Sequence, residues 1–389
     1  MTLSVGFLGY RFMGRAHANA LARLPMFFPD APTVERHTLV GRDPDTLAEE
    51  ADRLGFAETT TDWTAAIENV DVFYNLGPNH VHVEPTVAAL EADVPVLCEK
   101  PLASDIAGAE RIVAAAEESN ATAGIAFNYR FVPAIRYARE LIADGALGEI
   151  HHFRGRYLQD WLVDPEAAWS WRNSAELAGS GALGDLGAHT IDLARYLLYD
   201  TAGEFERISG HLRTFVDERP VSNGNGGGLN GGDGDNDGTK PVTVDDACSA
   251  QIEFENGAMG TMEVSRFAPP HKNDHTIEVN GSEGSLRFSL ERLNELEVRS
   301  NDARGYQTIL VTDEDDPYAE AWWPPGHVLG WEHAVIHENY EFLTAVEADR
   351  TFHPHLGDGL TAQRTLAAIE HSDETGEWVA VPDPVPPPE

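Results

Sequence analysis

A lysine follows a short apolar segment in the first third of the chain. The pattern predicts a buried strand over residues 94–98, and Glu99-Lys100-Pro101 comes directly after it. The chain has only three lysines, at positions 100, 240 and 272, so a lysine at a strand end calls for a specific reason. A compact ammonium can hydrogen-bond a reacting oxygen, which explains why arginine has not replaced it here. We predict that Lys100 is catalytic; the alternative is a structural salt bridge to Glu99.

A carboxylate and an imidazole lie four residues apart in the segment Gly181-Ala-Leu-Gly-Asp185-Leu-Gly-Ala-His189. In the helix predicted over residues 183–198, this spacing puts both side chains on one face. Histidine is suited to take a hydroxyl proton near neutral pH, and a nearby carboxylate can orient it and stabilise its charged form. The alternatives are an ordinary surface pair, or a metal site completed by Asp192. We predict no metal, because no further cluster has ligand spacing.

A glycine-bounded turn follows the first apolar run, residues 3–8, and opens a helix: Gly9-Tyr10-Arg11-Phe12-Met13-Gly14. A dinucleotide site needs a tight turn, close backbone approach to the pyrophosphate and a helix N-terminus aimed at that charge. Gly9 and Gly14 fit, but Arg11 replaces the usual middle glycine, so its side chain must swing outward or contact the pyrophosphate. The motif alone is weak, and a plain strand-helix turn is the alternative. Its position before a regular α/β alternation favours the cofactor site.

The second strand ends in Val40-Gly41-Arg42-Asp43. An acidic residue at this point holds the ribose 2′-hydroxyl of NAD, whereas an arginine suits the 2′-phosphate of NADP. Arg42 therefore favours NADP over NAD, with Asp43 as a possible hydroxyl partner and a solvated loop charge as the alternative for Arg42.

Two patterns of elements position these residues. Up to residue 127, short apolar strands alternate with helices, which predicts a parallel sheet covered on both faces. From residue 128 to 380, β-rich segments and hairpin signals predict an open, mostly antiparallel sheet that carries the helix over 183–198. The Gly/Asn/Asp-rich segment 222–238 is predicted to be a flexible insertion, and 381–389 an extended Pro-rich tail.

The composition is strongly acidic, with a net charge of −38. Such a chain repels itself unless salt screens the charge, so we interpret the surface as an adaptation to a saline cytoplasm; the alternative is an acidic protein indifferent to salt. The absence of basic patches argues against nucleic acid and anionic membranes as partners. Two cysteines, no apolar run of about 20 residues and no signal-peptide pattern predict a cytoplasmic protein.

Several motifs occur together in the order of a known family. They are Phe12-Met13-Gly14-Arg-Ala-His17, Gly77-Pro78-Asn79-His80-Val-His82, Cys98-Glu-Lys-Pro101, Phe127-Asn-Tyr-Arg-Phe131, Gly184-Asp-Leu-Gly-Ala-His189 and Val244-Asp-Asp-Ala247. The chain resembles the Gfo/Idh/MocA oxidoreductases, and within them the sugar dehydrogenases. The resemblance implies an N-terminal Rossmann domain over 1–127, a substrate-binding and oligomerisation domain over 128–380, and homodimers or homotetramers formed through the second sheet.

The resemblance also implies roles for individual residues. Lys100 would contact cofactor and substrate oxygen, His189 would exchange the hydroxyl proton, and Asp185 would hold the substrate and tune His189. Other substrate contacts would come from Tyr129, Gln159, Trp161 and Arg172. Cofactor contacts would come from Gly9, Arg11, Phe12, Met13, Gly14, Arg42, Leu76, Pro78, Asn79, His82, Glu99, Lys100 and Asn128.

The resulting hypothesis is an NAD(P)-dependent dehydrogenase that moves a hydride between the cofactor and a hydroxyl carbon of a sugar or cyclic polyol. One alternative is an NAD-dependent glycosidase on the same scaffold, which oxidises its substrate transiently without net cofactor turnover. Another is a non-catalytic nucleotide-sensing regulator, since fold alone does not establish function.

Overall fold

The computed structural model describes residues 2–221, 238–382 and 384–385. The first 128 residues alternate strands and helices. In chain order these are β1 (Thr2–Leu8), α1 (Phe12–Phe27), β2 (Thr33–Val40), α2 (Pro44–Leu54), β3 (Glu58–Thr60), α3 (Trp63–Ile67), β4 (Val72–Asn75), α4 (Val83–Glu91), β5 (Val96–Cys98), α5 (Ile106–Glu118) and β6 (Ala123–Ile125). The six strands described here pair in the order β3-β2-β1-β4-β5-β6, all in parallel. The predicted parallel sheet is confirmed.

Burial explains why the strands of this sheet are short and apolar. All four residues of β4 are buried, as are all three of β5, because helices cover both faces of a parallel sheet. The short β3 and α3 were not predicted, since the strand Glu58-Thr-Thr is polar and none of its residues is buried.

The rest of the chain contains a second, larger sheet. In chain order, the elements of this part of the chain are α6 (Pro133–Ala143), β7 (Ile150–Leu158), α7 (Ala175–Ala178), α8 (Ala188–Ala202), β8 (Phe205–Arg213), β9 (Glu218–Pro220), β10 (Thr239–Pro241), β11 (Ala247–Phe254), β12 (Met259–Ser265), β13 (Asp274–Gly281), β14 (Gly284–Ser289), β15 (Glu295–Ser300), β16 (Gln307–Leu310), α9 (Glu332–Glu347), α10 (Leu356–Thr375) and β17 (Val379–Ala380). Nine strands of the described chain pair in the order β16-β15-β14-β13-β7-β12-β11-β8-β17. Only β12 and β7 run parallel among these described pairs, so the predicted mostly antiparallel sheet is confirmed.

The second sheet has one buried face and one polar face. Along β12, Gly260, Met262 and Val264 are buried while the residues between them are exposed. The buried face carries α8: a Cβ added to Gly155 on β7 would lie 2.2 Å from Thr190 Cγ2 on that helix. This close approach fixes the helix that begins at Ala188.

The chain divides into two compact units. Of the described residues, the first unit comprises 2–128, 331–360 and 385, and the second comprises 129–221, 238–330, 361–382 and 384. The expected ranges, with 128–380 forming one domain, differ because α9 returns to the first unit. There it packs on α1, where the Phe28 and Tyr340 rings lie 4.5 Å apart.

The predicted insertion and the predicted C-terminal tail lie largely outside the residues that the structure describes. The predicted insertion at 222–238 lies outside the described residues except for Gly238, as do residues 383 and 386–389 of the predicted tail. Across the ranges that are described, the structure contains no helix with the length and apolar character needed to span a membrane.

Candidate active site

The turn between β1 and α1 has the geometry of a phosphate-binding turn. Gly9 has φ of +109°, and a Cβ there would lie 2.6 Å from the Leu76 carbonyl oxygen. A Cβ on Gly14 would lie 2.4 Å from the Gly9 carbonyl oxygen. Only glycine fits at both positions, so the backbone of the turn stays tight and leads directly into the N-terminus of α1.

Four residues lie between these glycines, and three of them, Arg11, Phe12 and Met13, are wholly or partly exposed. Arg11 is exposed at the N-cap of α1, with its guanidinium 5.9 Å from the Tyr10 ring centre. Phe12 is 46% exposed and stacks on Trp331 at 5.2 Å, and Met13 is half-buried. The exposed Arg11 side chain is compatible with either expected arrangement, pointing outward or contacting a pyrophosphate.

The two candidate ribose contacts at the end of β2, Arg42 and Asp43, have different surroundings. Arg42 is exposed, whereas the Asp43 carboxylate accepts a hydrogen bond from Thr46 N at 2.9 Å and caps α2. Asp43 thus has a structural role at a helix N-terminus, where carboxylates stabilise unpaired amides.

The loop after β4 is held by His82. This side chain is fully buried, and its Nδ1 and Nε2 each lie 2.9 Å from a backbone carbonyl, of Pro101 and Gly77 respectively. Burial lowers the pKa of His82, although both carbonyls favour the protonated ring. The ring therefore braces two loops, and its predicted cofactor contact stays a prediction.

The other expected cofactor residues of this unit vary in exposure. Leu76, Asn79 and Asn128 are buried, with exposures of 8%, 7% and 4%, and Pro78 is half-buried.

Glu99 anchors the segment that carries Lys100. Glu99 is 5% exposed, its Oε2 accepts the Lys100 backbone N–H at 3.2 Å, and its Oε1 lies 3.4 Å from His17 Nε2. On the other side of that ring, Asn339 Nδ2 donates to His17 Nδ1 at 2.9 Å. His17 lies within a quoted motif, but no role was predicted for it or for Asn339, since the two are 322 positions apart.

In the second unit, Asp185 and His189 lie on consecutive turns of one helical segment. Residues Leu183–Gly187 form a π-helical turn that runs directly into α8, and such turns are frequent at functional sites. Asp185 is half-buried and His189 is 7% exposed.

Asp192 is part of a buried ion pair. Arg130 Nε donates to both carboxylate oxygens of Asp192 at 3.0 Å. The arginine neutralises this carboxylate, which accounts for Asp192 without a metal.

A hydrogen-bonded chain connects three of the predicted substrate residues. The Tyr129 ring lies 4.5 Å from the His189 ring, and the Tyr129 and Tyr157 hydroxyls are 2.8 Å apart. Tyr157 Oη and Gln159 Nε2 both donate to Asn273 Oδ1, at 2.7 and 2.8 Å. Trp161 Nε1 in turn donates to Gln159 Oε1 at 2.7 Å. This series of hydrogen bonds fixes the rotamers of the side chains that it connects.

Three members of this cluster carry no predicted role: Tyr157, Asn273 and His275. His275 is fully buried and stacks on Tyr157 with ring centres 4.4 Å apart. Burial lowers the pKa of His275 to about 3, so this ring is neutral. Their partners lie far away in sequence, and among the three only Tyr157 is close to predicted substrate residues, two positions before Gln159.

Arg172 adds a cation to the same region. Its guanidinium lies 4.5 Å from the Trp171 ring centre. Burial lowers the pKa of Arg172, and the negative charge of Asp185 opposes this effect. A cation coupled to the candidate carboxylate is suited to orient it or to hold a substrate oxygen.

One group of potential metal ligands occurs within the described ranges, and it is elsewhere: His353, His355 and Asp358. Asp358 N donates to His355 Nδ1 at 3.1 Å, and His355 N donates to Asp358 Oδ2 at 3.1 Å. These reciprocal bonds form a capping box at the start of α10. His355 Nδ1 accepts this hydrogen bond, so that nitrogen is engaged at the helix cap.

Sequence comparisons place the chain in a family. Residues 3–127 match the family model described as "Oxidoreductase family, NAD-binding Rossmann fold", and residues 135–287 match the "GFO/IDH/MocA C-terminal domain". The chain belongs to the Gfo/Idh/MocA oxidoreductases, as the motifs predicted.

Particular relatives match over almost the whole chain. A levoglucosan dehydrogenase of Pseudarthrobacter phenanthrenivorans is 39% identical over 391 residues, which cover 98% of each chain. An oxidoreductase domain protein from Kribbella flavida has 42% identity and a TM-score of 0.91, covering 98% of this chain and 100% of that one. A levoglucosan dehydrogenase in complex with NADH has 38% identity and a TM-score of 0.91 at the same coverage. These relatives indicate a sugar oxidoreductase with an NAD-binding domain and lend no support to the preference for NADP.

Proposed function

We propose that this chain reversibly oxidises a ring or secondary hydroxyl of a monosaccharide-like sugar or cyclic polyol. The observation that carries the proposal is the pair of Asp185 and His189 on one helical segment, beside Tyr129 and coupled to Arg172. A histidine next to a carboxylate is the arrangement needed to accept a hydroxyl proton near neutral pH.

In the proposed mechanism, His189 removes the proton from the substrate hydroxyl, and Asp185 orients and stabilises the resulting imidazolium. Lys100 donates a hydrogen bond to the substrate oxygen as negative charge develops on it. A bound nicotinamide would supply the acceptor for the hydride that leaves the hydroxyl carbon. In the reverse direction His189 returns the proton to the substrate oxygen.

Substrate selectivity is proposed to come from polar groups whose orientation is already fixed. The Gln159 amide is held at both ends, by Trp161 at Oε1 and by Asn273 at Nε2. With Tyr129 and Arg172, these groups can satisfy the hydroxyls of a sugar. Because they are ordered before binding, little conformational entropy is lost when the sugar binds.

We further propose NAD as the cofactor. The tight turn at Gly9 and Gly14 fits a pyrophosphate at the N-terminus of α1. The bound NADH of a relative with 38% identity favours NAD, whereas the exposed Arg42 favours NADP.

The experiment is an assay of cofactor reduction with a panel of neutral sugars and polyols, levoglucosan included, in high salt with NAD and with NADP. Lys100→Met and His189→Ala should each lower kcat by on the order of 100- to 10,000-fold. Matched controls are Lys272→Met, at an exposed ion pair with Asp160, and His211→Ala, at an exposed pair with Asp373. Near-normal turnover of the first two variants would refute the assignment.

The same assay separates the alternatives. A glycosidase would release sugar from a glycoside without net change in absorbance at about 340 nm, the band of the reduced cofactor. A regulator would bind the dinucleotide and turn over none of the substrates.

The oligomeric state is proposed to be a homodimer or homotetramer formed through the polar face of the nine-stranded sheet. This face, within the second unit, forms a groove of about 810 Å³ along β7, β13 and their neighbours. It carries paired charges such as Arg154 with Glu278. Light scattering in high salt measures the assembly, and a monomer at assay concentration contradicts it.

A further inference from the structure

Three consecutive backbone amides at the start of the Asp185 segment bind to a single distant residue. Gly181 N donates to Asp245 Oδ1 at 2.7 Å, and Leu183 N donates to Asp245 Oδ2 at 2.8 Å. Between them, Ala182 N donates to the Asp245 backbone oxygen at 3.1 Å. The first amides of a helix have no hydrogen-bond acceptors inside it, and here Asp245 supplies the acceptor for all three amides.

We propose that Asp245 is a positioning residue that sets the orientation of Asp185 and His189. The proposal rests on the proposed function, in which these two side chains act on the substrate. Ala182, the residue before the π-helical turn, has no side chain able to cap it. Asp245 performs this task from 62 to 64 positions away in the sequence.

The contact is close and leaves little freedom. Asp245 is 5% exposed, and a Cβ added to Gly181 would lie 1.8 Å from its backbone oxygen. Only glycine allows the two chains to approach so closely. Arg266 Nη2 donates to the same oxygen at 3.0 Å, which adds a further constraint on the peptide of Asp245.

One peptide unit transmits this constraint to the candidate site. The Gly181 carbonyl accepts a hydrogen bond from Asp185 N at 3.0 Å. A shift of the 181–183 backbone therefore moves Asp185 directly, and with it the start of the helix that carries His189. The motif Val244-Asp-Asp-Ala247, to which no role was given, thereby acquires one.

The neighbouring Asp246 provides a matched control. It is fully buried, and its Oδ2 also accepts backbone amides, from Phe215 at 2.8 Å and Val216 at 3.3 Å. Asp245→Asn leaves one acceptor oxygen where Gly181 and Leu183 use two, whereas Asp246→Asn makes the same change at a residue whose two amide contacts share Oδ2. The two changes are chemically identical, but only the first touches the Asp185 segment.

The experiment compares the two variants with the wild type in kinetics and in hydrogen–deuterium exchange. Asp245→Asn should lower kcat by on the order of 10- to 100-fold, as a misplaced catalytic group does, while KM for the dinucleotide stays within about 3-fold. Its exchange should accelerate over residues 181–189. Asp246→Asn should change exchange near residues 213–217 and keep kcat within about 3-fold.

The experiment distinguishes failure of the positioning role from failure of the proposed function. Equal loss of kcat in both variants, or normal kcat in Asp245→Asn, overturns the positioning role. If Asp245→Asn does not fold, exchange of the wild type decides: rapid exchange of the amides of residues 181–183 overturns the proposal, and strong protection supports it. A wild type that oxidises no sugar refutes the proposed function, and the exchange data still test the contact.

Discussion

Replacing Glu370 by Gln should stabilise the second unit above neutral pH. Glu370 lies on α10 and is partly buried near Asp245 and Glu374. Burial, reinforced by these two negative charges, raises the pKa of the Glu370 carboxyl to about 7. Its ordinary value of 4.5 applies to the unfolded chain. Between pH 4.5 and 7 the folded state thus binds more protons than the unfolded state, so stability falls as pH rises.

The size of the effect follows from the pKa difference. A pKa shift of one unit corresponds to about 1.4 kcal/mol, so the full shift of the Glu370 pKa corresponds to about 3 kcal/mol of lost stability above pH 7. Part of the side chain is exposed and high salt screens the neighbouring charges, which reduces the expected gain to about 1–2 kcal/mol. Below pH 4.5 both states are protonated, and the wild type and the variant should have similar stability.

The assay is urea unfolding at a fixed high salt concentration, at several pH values from below 4.5 to above 7. Hydrogen–deuterium exchange or fluorescence follows the unfolding of the second unit. Glu140→Gln is the matched control, because Glu140 is exposed on α6 of the second unit and is not among the charges that act on Glu370, so the same charge change there should have little effect. Urea adds no ions, so screening stays constant across the titration. A gain in stability that is the same at acid and alkaline pH would refute the electrostatic reasoning, since the pH dependence is its signature.

Three further predictions test other features. Raising KCl from about 0.2 M to about 3 M should raise the melting temperature of this chain of net charge −38, because a Debye length below about 3 Å screens its self-repulsion. A melting temperature that does not change with salt contradicts the saline adaptation. Tyr157→Phe should cost about 1–3 kcal/mol in the free energy of unfolding by leaving buried partners unsatisfied, whereas Tyr199→Phe, at a side chain 54% exposed, should be neutral in the same denaturation series. His82→Gln should raise KM for the dinucleotide more than KM for the sugar by loosening the loops at Gly77 and Pro101, and steady-state kinetics in which only the sugar KM changes would contradict this role.

Local sequence patterns were sufficient where the structural requirement is itself local. Gly9 and Gly14 were recognised because a tight turn before a helix excludes a Cβ at both positions. Lys100 was singled out by its position after a buried strand, and Asp185 with His189 by helical spacing. The alternation of strands and helices predicted the parallel sheet, since a sheet buried on both faces requires short apolar strands. The motifs, taken in order, predicted the family.

Tertiary structure decided which distant residues support these groups. Asn273 binds Tyr157 across 116 positions, Asp245 caps the Asp185 segment, and Asn339 of α9 contacts His17 of α1 across 322 positions. No periodicity encodes such pairs, because a hydrogen bond between distant residues depends on where the folded chain brings them. The sequence alone determined the residues that could do the chemistry, and only the folded chain determined what holds them, because buried polar groups must find partners wherever packing places them.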